Sequence, residues 1–208
     1  MDNFLLFKIN QDWTHPVLDY VMTAASALGI WIPVFAVVLV GIFWKCGVRR
    51  AGAFVAVMAV AIAVTDGLVC KNLKGLVNRP RPHQVVLGLT VRDVAKVKPK
   101  FLAVFKAPWE KPSKPSKDPA KLAAIEGRSF PSAHTANTWA AALVAMGFFG
   151  RRFWWLFLPA ALVSYSRVYV GSHWPSDIFP SILIGILCGF LTLFLWKKVK
   201  TRRAIGKK

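Results

Sequence analysis

Long apolar runs alternate with short polar segments along the chain. The runs lie at 17–44, 51–76, 132–149, 152–169 and 175–196. A helix needs about 20 predominantly apolar residues to cross a bilayer, so each run is long enough for a crossing or nearly so. The first run is about ten residues longer than one crossing needs. Because it contains Gly29 and Pro33, it either crosses twice or breaks into a short helix and a spanning helix.

These runs predict an all-α fold, an integral membrane helical bundle of about five to six transmembrane helices. The bundle forms a single domain over residues 1–208. Segment 1–15 interrupts a short apolar stretch with Lys8 and Asp12, which is typical of an amphipathic interfacial segment and not of a secretory signal. Pro159 and Pro180 fall inside the last two runs, where we expect kinks and no breaks.

The composition excludes a soluble domain and a disordered chain. Hydrophobic residues make up 55% of the sequence and charged residues only 18%, with a formal net charge of +19. Soluble domains carry about 25% charged residues. The three cysteines, Cys46, Cys70 and Cys188, are odd in number and argue against a disulfide scaffold.

Basic residues in the short loops predict the orientation. No acidic residue lies among them. They are Lys45, Arg49, Arg50, Arg151 and Arg152, together with the basic residues of the tail 197–208. Cytoplasmic loops are enriched in Lys and Arg, so this face is predicted to be cytoplasmic. Trp44, Trp154, Trp155 and Trp196 lie at the same ends, either as an aromatic belt or as core packing.

The connection 78–130 lies on the opposite, outer face. Its part 108–121 reads PWEKPSKPSKDPAK, and its prolines and lysines favour an extended, solvated chain. That part is either a mobile linker or a basic segment that attracts anionic lipid headgroups. The more apolar part 84–106 has the composition of a lid over a site, a role that the sequence leaves open.

Polar residues gather at the outer ends of the runs, where ionisable groups are costly and therefore functional candidates. The second run ends with Lys74, Arg79 and Arg81, and the third begins with Ser132, Ala133 and His134. The fourth run ends with Ser166 and Arg167, and the start of the fifth lies between His173 and Asp177. Taken singly, the cations could equally be anchors at the membrane surface and the Pro131-Ser132 pair an ordinary helix cap.

Together these residues have the chemistry of a phosphate site. A helix start at Ser132, Ala133 and His134 offers free N–H groups to a phosphate oxygen. Three cations, Lys74, Arg81 and Arg167, suit the charged oxygens of a phosphoryl group. Pro175 would start a helix that places His173 and Asp177, four residues apart, on one face, where the carboxylate can hold the imidazole tautomer.

The spacing of these residues resembles the signature of the type-2 phosphatidic acid phosphatase family. Its three parts read KGLVNRPRP at 74–82, PSAH at 131–134 and SRVYVGSHWPSD at 166–177. The resemblance covers about residues 66–193. The one departure is Ala133, where the family usually has glycine, and it puts the close approach of backbone to phosphate in doubt.

The resemblance implies a metal-independent phosphatase, with no cofactor, that works through a phosphohistidine. His173 would be the nucleophile and Asp177 would orient it, while His134 would serve as acid and then as base. The phosphoryl group would be bound by Lys74, Arg81, Ser132, Ala133 and Arg167. The sequence shows no cluster with metal-ligand spacing, which agrees with the implied absence of a metal.

Asp66 lies inside the second run, two helical turns before Lys74. An intramembrane carboxylate is a functional candidate. A phosphate site gains nothing from another anion in contact with it, so we favour a supporting role for Asp66 behind the site.

The expected partners are a membrane lipid phosphate and the bilayer, with no nucleic acid and an open oligomeric state. The resemblance leaves undecaprenyl pyrophosphate, phosphatidylglycerophosphate, phosphatidic acid and lipid A phosphates as substrates, and we favour the first because small bacterial members often look like that activity. The expected location is the bacterial inner membrane, with the site facing the periplasm or exterior. Two other classes are a vanadate-dependent haloperoxidase and a non-catalytic lipid-binding or transport protein. The long apolar runs disfavour the first, and the histidines and Asp177 disfavour the second, because binding alone needs only cations.

Overall fold

The computed structural model of the protein describes residues 1–115, 124–125 and 127–205, with side chains as far as residue 202. It begins with α1 (Asp2–Phe7), a π-helical turn (Lys8–Asp12) and α2 (Pro16–Ser26). Helix α3 (Leu28–Ile62) then continues through a π-helical stretch (Ala63–Cys70) into α4 (Lys71–Val77). The later helices are α6 (Ala133–Phe149), α7 (Phe157–Tyr169) and α8 (Pro175–Ile205), and a 3-10 turn (Arg151–Leu156) leads into α7.

The outer connection is more ordered than the sequence predicts. It contains the short helix α5 (Pro82–Val85), β1 (Thr90–Asp93), a 3-10 turn (Lys100–Phe105) and β2 (Trp109–Pro112). The strands pair antiparallel with Thr90 opposite Pro112, so the mostly helical fold also contains one two-stranded sheet, which the all-α prediction did not include. The pairing satisfies backbone groups that an extended, solvated chain would leave to water. Residues 116–121 of the predicted linker lie outside the described residues.

The first apolar run breaks into a short helix and a long one, but the break lies at Ala27 and not at Gly29 or Pro33, which both lie inside α3. Ala27, with φ −103° and ψ 90°, separates α2 from α3. A second irregularity lies at Gly47, where φ is 72° within the basic turn between Lys45 and Arg49. Glycine adopts this backbone conformation without steric cost, so α3 can change direction at the turn.

Two stretches of the described chain are long and apolar enough to cross a membrane, Leu28–Val85 with 58 residues and Pro175–Arg202 with 28 residues. Helices α6 and α7 have 17 and 13 residues. The five to six crossings therefore stay a prediction. Large apolar side chains such as Val37 and Phe190, 73% and 62% exposed, cover these long helices, as a lipid-facing surface requires. Neither Pro159 nor Pro180 breaks its helix, as predicted.

Small residues allow α6 and α8 to pack at close range. A Cβ atom on Gly185 would lie 2.3 Å from the carbonyl oxygen of Ala136, and one on Gly189 would lie 3.0 Å from that of Ala140. Such glycine stripes let helix backbones approach closely in membranes. The contact holds the start of α6 against the start of α8, and both ends belong to the site.

An apolar cluster closes the opposite end of the bundle. Phe54, Val57, Val144 and Leu193 form it, and Trp196 packs against it. Arg50 of the basic turn donates a hydrogen bond to the carbonyl of Phe148 nearby, 3.0 Å away. Of the four tryptophans at this end, Trp196 is core packing, while Trp44, Trp154 and Trp155 are 85%, 60% and 49% exposed, as expected for a belt.

Candidate active site

Three distant sequence segments meet at one end of the bundle. The N–H of Ser129 donates to the carbonyl of Arg79 at 2.9 Å, which joins the segment before α6 to the segment after α4. The N–H of Ser132 donates to Ser181 Oγ on α8 at 2.8 Å. Trp174 Nε1 donates to the carbonyl of Pro80 at 2.8 Å. The motifs at 74–82, 131–134 and 166–177 thus form one structure.

His173 lies in the loop between α7 and α8. Its N–H donates to the carbonyl of Arg167 at 3.1 Å, and only 2% of the residue is exposed. Helix α8 begins at Pro175 as predicted, but His173 precedes it, so the prediction of a shared helix face with Asp177 is wrong. A turn brings the two together instead, with Nδ1 of His173 3.7 Å from Oδ2 of Asp177.

Asp177 is fully buried and holds four hydrogen-bonding groups of the protein. Oδ1 accepts from Nη1 of Arg79 at 2.6 Å. Oδ2 accepts from Ser129 Oγ at 2.5 Å and from the N–H of Trp174 at 3.0 Å. The carbonyl of Asp177 accepts from Ser181 Oγ at 2.6 Å. A carboxylate held in this way has one orientation, and it faces His173.

The surroundings of His173 keep its imidazole neutral. Burial lowers the pKa of His173 to about 4, because the imidazolium would lose its hydration, and the neighbouring cations Arg167 and Arg81 lower it further. The carboxylate of Asp177 acts in the opposite direction. Nδ1 is buried without a hydrogen-bond partner. At neutral pH this histidine can therefore act as a nucleophile.

His134 lies in the first turn of α6, next to the three predicted cations and the other histidine. Lys74, Arg81, Arg167 and His173 are all near enough to act on its charge. The structure therefore brings together the residues that the sequence assigned to acid–base chemistry, nucleophilic attack and charge stabilisation.

Arg167 is held from an unexpected direction. Its Nη1 contacts Oγ and the carbonyl of Ser26, at the end of α2. The residue is 8% exposed, and its buried Nε has no partner within the described structure. An Arg with one unpaired buried donor has capacity for an anionic ligand. Helix α2 therefore fixes one wall of the site.

The start of α6 offers the N–H groups that the sequence predicts. Ser132 precedes the helix with non-helical φ −75° and ψ 102°, and its Oγ accepts from Thr135 Oγ1 at 3.1 Å. The N–H groups of the first helical turn have no partner inside the helix. Ala133 belongs to a buried cluster with Cys70 and Ala136. The methyl group of Ala133 therefore packs against these residues, and the fold accommodates alanine where the family usually has glycine.

Sequence reasoning missed the residues that hold Asp177. The sequence groups Arg79 with the other cations at the end of the second run, and it gives no signal that singles out Ser129. Arg79 lies inside the motif at 74–82, and Ser129 lies three residues before Ser132, next to the motif at 131–134. His83 was also missed; its Nδ1 lies 3.0 Å from the carbonyl of Gly171, in the loop that carries His173. Periodicity gives no signal for such pairs, because their partners are remote in sequence.

Asp66 lies in the π-helical stretch between α3 and α4 and is exposed. Its predicted supporting role is neither confirmed nor excluded by a contact, and it stays a prediction. No group of three or more His, Cys, Asp or Glu residues that could hold a metal ion occurs in the described part of the chain.

The chain is similar to several known proteins. The model of the PAP2 superfamily matches residues 50–201. The lipid A 4'-phosphatase of Bacteroides thetaiotaomicron is 27% identical over 194 residues, which cover 90% of this chain and 73% of that protein. The undecaprenyl-diphosphatase BcrC of Bacillus subtilis is 41% identical over 64 residues, 30% of this chain and 33% of that protein.

A solved structure is also similar. The crystal structure of Aquifex aeolicus LpxE superimposes with a TM-score of 0.62 at 27% sequence identity, covering 92% of this chain and 94% of that one. The similarity covers most of the chain and is not confined to the three motifs.

Proposed function

Because the chain belongs to the PAP2 superfamily, we propose that it hydrolyses a lipid phosphate through a phosphohistidine formed on His173. The chain is a membrane phosphatase acting on phosphate esters. The observation that carries the finer proposal is the buried His173, which faces the fully buried Asp177 and is surrounded by cations.

The first step is attack on phosphorus. In this mechanism His173 carries its proton on Nδ1, which lies 3.7 Å from Oδ2 of Asp177, and the lone pair of Nε2 forms the N–P bond. The bond from phosphorus to the lipid oxygen breaks, and that oxygen leaves with its electron pair. His134, which takes up a proton once the bound anionic phosphate offsets the surrounding cations, donates that proton to it. The products of this step are the free lipid alcohol, or the lipid monophosphate from a diphosphate, and phosphohistidine.

The second step returns the enzyme to its starting state. His134, now neutral, accepts a proton from a water molecule, whose oxygen attacks phosphorus as the N–P bond breaks. Inorganic phosphate leaves, and Nε2 of His173 recovers its lone pair. Asp177 stabilises the positive charge that develops on the imidazole in both steps.

Lys74, Arg81 and Arg167 neutralise the phosphoryl oxygens in this mechanism, and the N–H groups around Ala133 bind another oxygen. Positioning and charge stabilisation dominate phosphoryl transfer, so this set accounts for catalysis without a metal. We expect full activity in the presence of a chelator and inhibition by vanadate, which adopts the five-coordinate geometry of the transferring group.

The leading substrate is a phosphate on a saccharide lipid of the lipid A type. The support is the extent of the similarity, since two relatives with that name match 90% of this chain. Undecaprenyl diphosphate, which the sequence favours, is the second candidate. Its support is the higher identity to an undecaprenyl-diphosphatase over the 64 matched residues.

The proposed location is the inner membrane, with the site on the periplasmic or outer side. The site and the basic turns lie at opposite ends of the bundle, because Arg50 and Phe148 meet beside Trp196 while His134 and His173 meet at the other end. Cytoplasmic loops are enriched in positive residues, which supports a site on the outer side.

The deciding experiment measures phosphate release by purified protein with chelator present. The panel contains lipid A, undecaprenyl diphosphate, phosphatidic acid and phosphatidylglycerophosphate. The His173→Gln variant should lose turnover on every lipid, and the matched His15→Gln variant, changed at an exposed histidine, should keep it. Acid-labile phosphate on wild-type protein that is missing from His173→Gln would support the intermediate. Normal turnover by His173→Gln would contradict it.

A further inference from the structure

The segment before α2 carries an acidic residue that reaches the site. Asp2 Oδ2 lies 2.6 Å from Nη2 of Arg79. Asp2 Oδ1 accepts from the N–H of Ser176 at 2.9 Å, and its Oδ2 accepts from the hydroxyl of the same serine. Ser176 is in the first turn of α8, one residue before Asp177. Asp2 thus touches both the cation that holds Asp177 and the helix turn that carries it.

Buried contacts fix the segment in this place. Leu6 is fully buried in a cluster with Leu89, Val168 and Trp174. The side chain of Asn10, also fully buried, donates to the carbonyl of Tyr169 at 2.7 Å. Segment 1–15, predicted to be interfacial, is therefore packed into the protein at these positions. The family match begins only at residue 50, so nothing in it assigns a role to Asp2.

Arg79 stands between two carboxylates. Its Nη1 pairs with Oδ1 of Asp177 and its Nη2 with Asp2, while its guanidinium lies 5.1 Å from the ring of Trp174. Without Asp2, the whole charge of Arg79 would face Asp177 and weaken the negative field at His173. With Asp2, the cation is shared, and Asp177 keeps its anionic character towards the imidazole.

Asp2 is ionised when the enzyme works. Burial raises its pKa, but the hydrogen bonds from Ser176 and Arg79 outweigh burial and leave the pKa of Asp2 below its ordinary value.

We propose that Asp2 is a positioning residue, which through Arg79 and Ser176 holds Asp177 in the orientation that His173 needs. The inference rests on the proposed function, since it gives Asp177 the task of orienting the nucleophile. Asp2 does not touch the reacting atoms.

The first test compares turnover of Asp2→Asn, Asp2→Glu and Asp12→Asn. Asp12 is the matched control, because it lies in the same segment, pairs with Lys8 at 2.9 Å and has a side chain 54% exposed. Asp2→Asn should lower kcat roughly tenfold and leave KM within about twofold, because orientation and not binding is lost. Asp2→Glu should recover part of kcat. A normal kcat in Asp2→Asn, or a loss confined to KM, would overturn the proposal.

The second test needs no turnover. Melting temperatures are measured for Asp2→Asn, Asp177→Asn and the double variant, whose sites do not touch. Coupling through Arg79 predicts non-additive effects, and additive effects would overturn the proposal. If wild-type protein releases no phosphate from any lipid, the proposed function fails, and this cycle still decides whether Asp2 acts on Asp177.

Discussion

Arg79 and Asp177 form an ion pair, with 2.6 Å between Nη1 and Oδ1, that joins the first sequence motif to the third. Asp177 is inaccessible to solvent, whereas the side chain of Arg79 is 31% exposed. Removal of Arg79 would leave the buried carboxylate of Asp177 without its ion-pair partner, whereas removal of Asp177 would leave Arg79 paired with Asp2. The same ion pair therefore stabilises the fold around the site and holds the carboxylate that faces His173.

We predict that Arg79→Lys lowers turnover roughly tenfold, because an ammonium cannot span Asp177, Ser176 and Asp2 at once. The positive charge is kept, so the loss would come from geometry. Steady-state rates at saturating lipid measure it, and Arg49→Lys in the exposed basic turn is the control. Equal rates for both variants would show that Arg79 supplies only charge.

His134→Ala should lower the rate by roughly 10²–10⁴, the usual contribution of a general acid and base. The loss should be smaller for an aryl phosphate, whose leaving oxygen needs no protonation. The comparison of an alkyl and an aryl substrate on the same variant checks this. An equal loss on both would remove His134 from the role of acid.

The pH dependence of stability should report the burial of His173. Its pKa is about 4 in the folded protein and about 6.5 when unfolded, so the folded state binds fewer protons between these values. Stability contributed by the neutral imidazole is complete above pH 6.5 and is lost as the pH falls towards 4, by about 3 kcal/mol. Unfolding of wild type and His173→Gln in detergent should diverge in that window. Parallel curves would be inconsistent with a neutral buried histidine.

Gly185→Ala should destabilise the protein by about 1–3 kcal/mol, the cost of overpacking. The new methyl group would lie 2.3 Å from the carbonyl of Ala136, two residues after His134, so activity should fall as well. Gly52→Ala is the matched control, because a Cβ atom there meets nothing within 4 Å. Thermal unfolding of both variants gives the answer, and a Gly185→Ala protein as stable as Gly52→Ala would refute the close approach.

The orientation can be tested with single cysteines on a background that lacks Cys46, Cys70 and Cys188. Ser113, in the outer connection, is unsuitable because it is 3% exposed and its hydroxyl donates to Val86. Ala107 is exposed and serves instead, with Thr201 in the tail as its counterpart. An impermeant thiol reagent should label only position 107 in intact cells. Labelling of position 201 alone would reverse the orientation and rule out an outer-leaflet substrate.

The sequence by itself determined the membrane character, the helix starts at Ala133 and Pro175 to within a residue, and the family. Each of these depends on local signals. The length of an apolar run indicates whether it can cross the bilayer, and a proline favours a helix start because it lacks a backbone donor. The residues within each family motif are close together in the sequence. The candidate site residues are predicted for the same reason, since each lies at or near the end of an apolar run.

Only the tertiary structure decided how those residues are held. Arg79 meets Asp177 across 98 positions and Asp2 meets Ser176 across 174, and no periodicity in a single sequence records such partners. The structure also placed His173 in a loop before α8 and folded the outer connection into a hairpin. That hairpin is anchored where Arg92 of β1 pairs with Asp19 of α2 at 2.8 Å. Long-range pairs of charges and hydrogen bonds form only when packing brings their helices together, so their identity is a property of the fold.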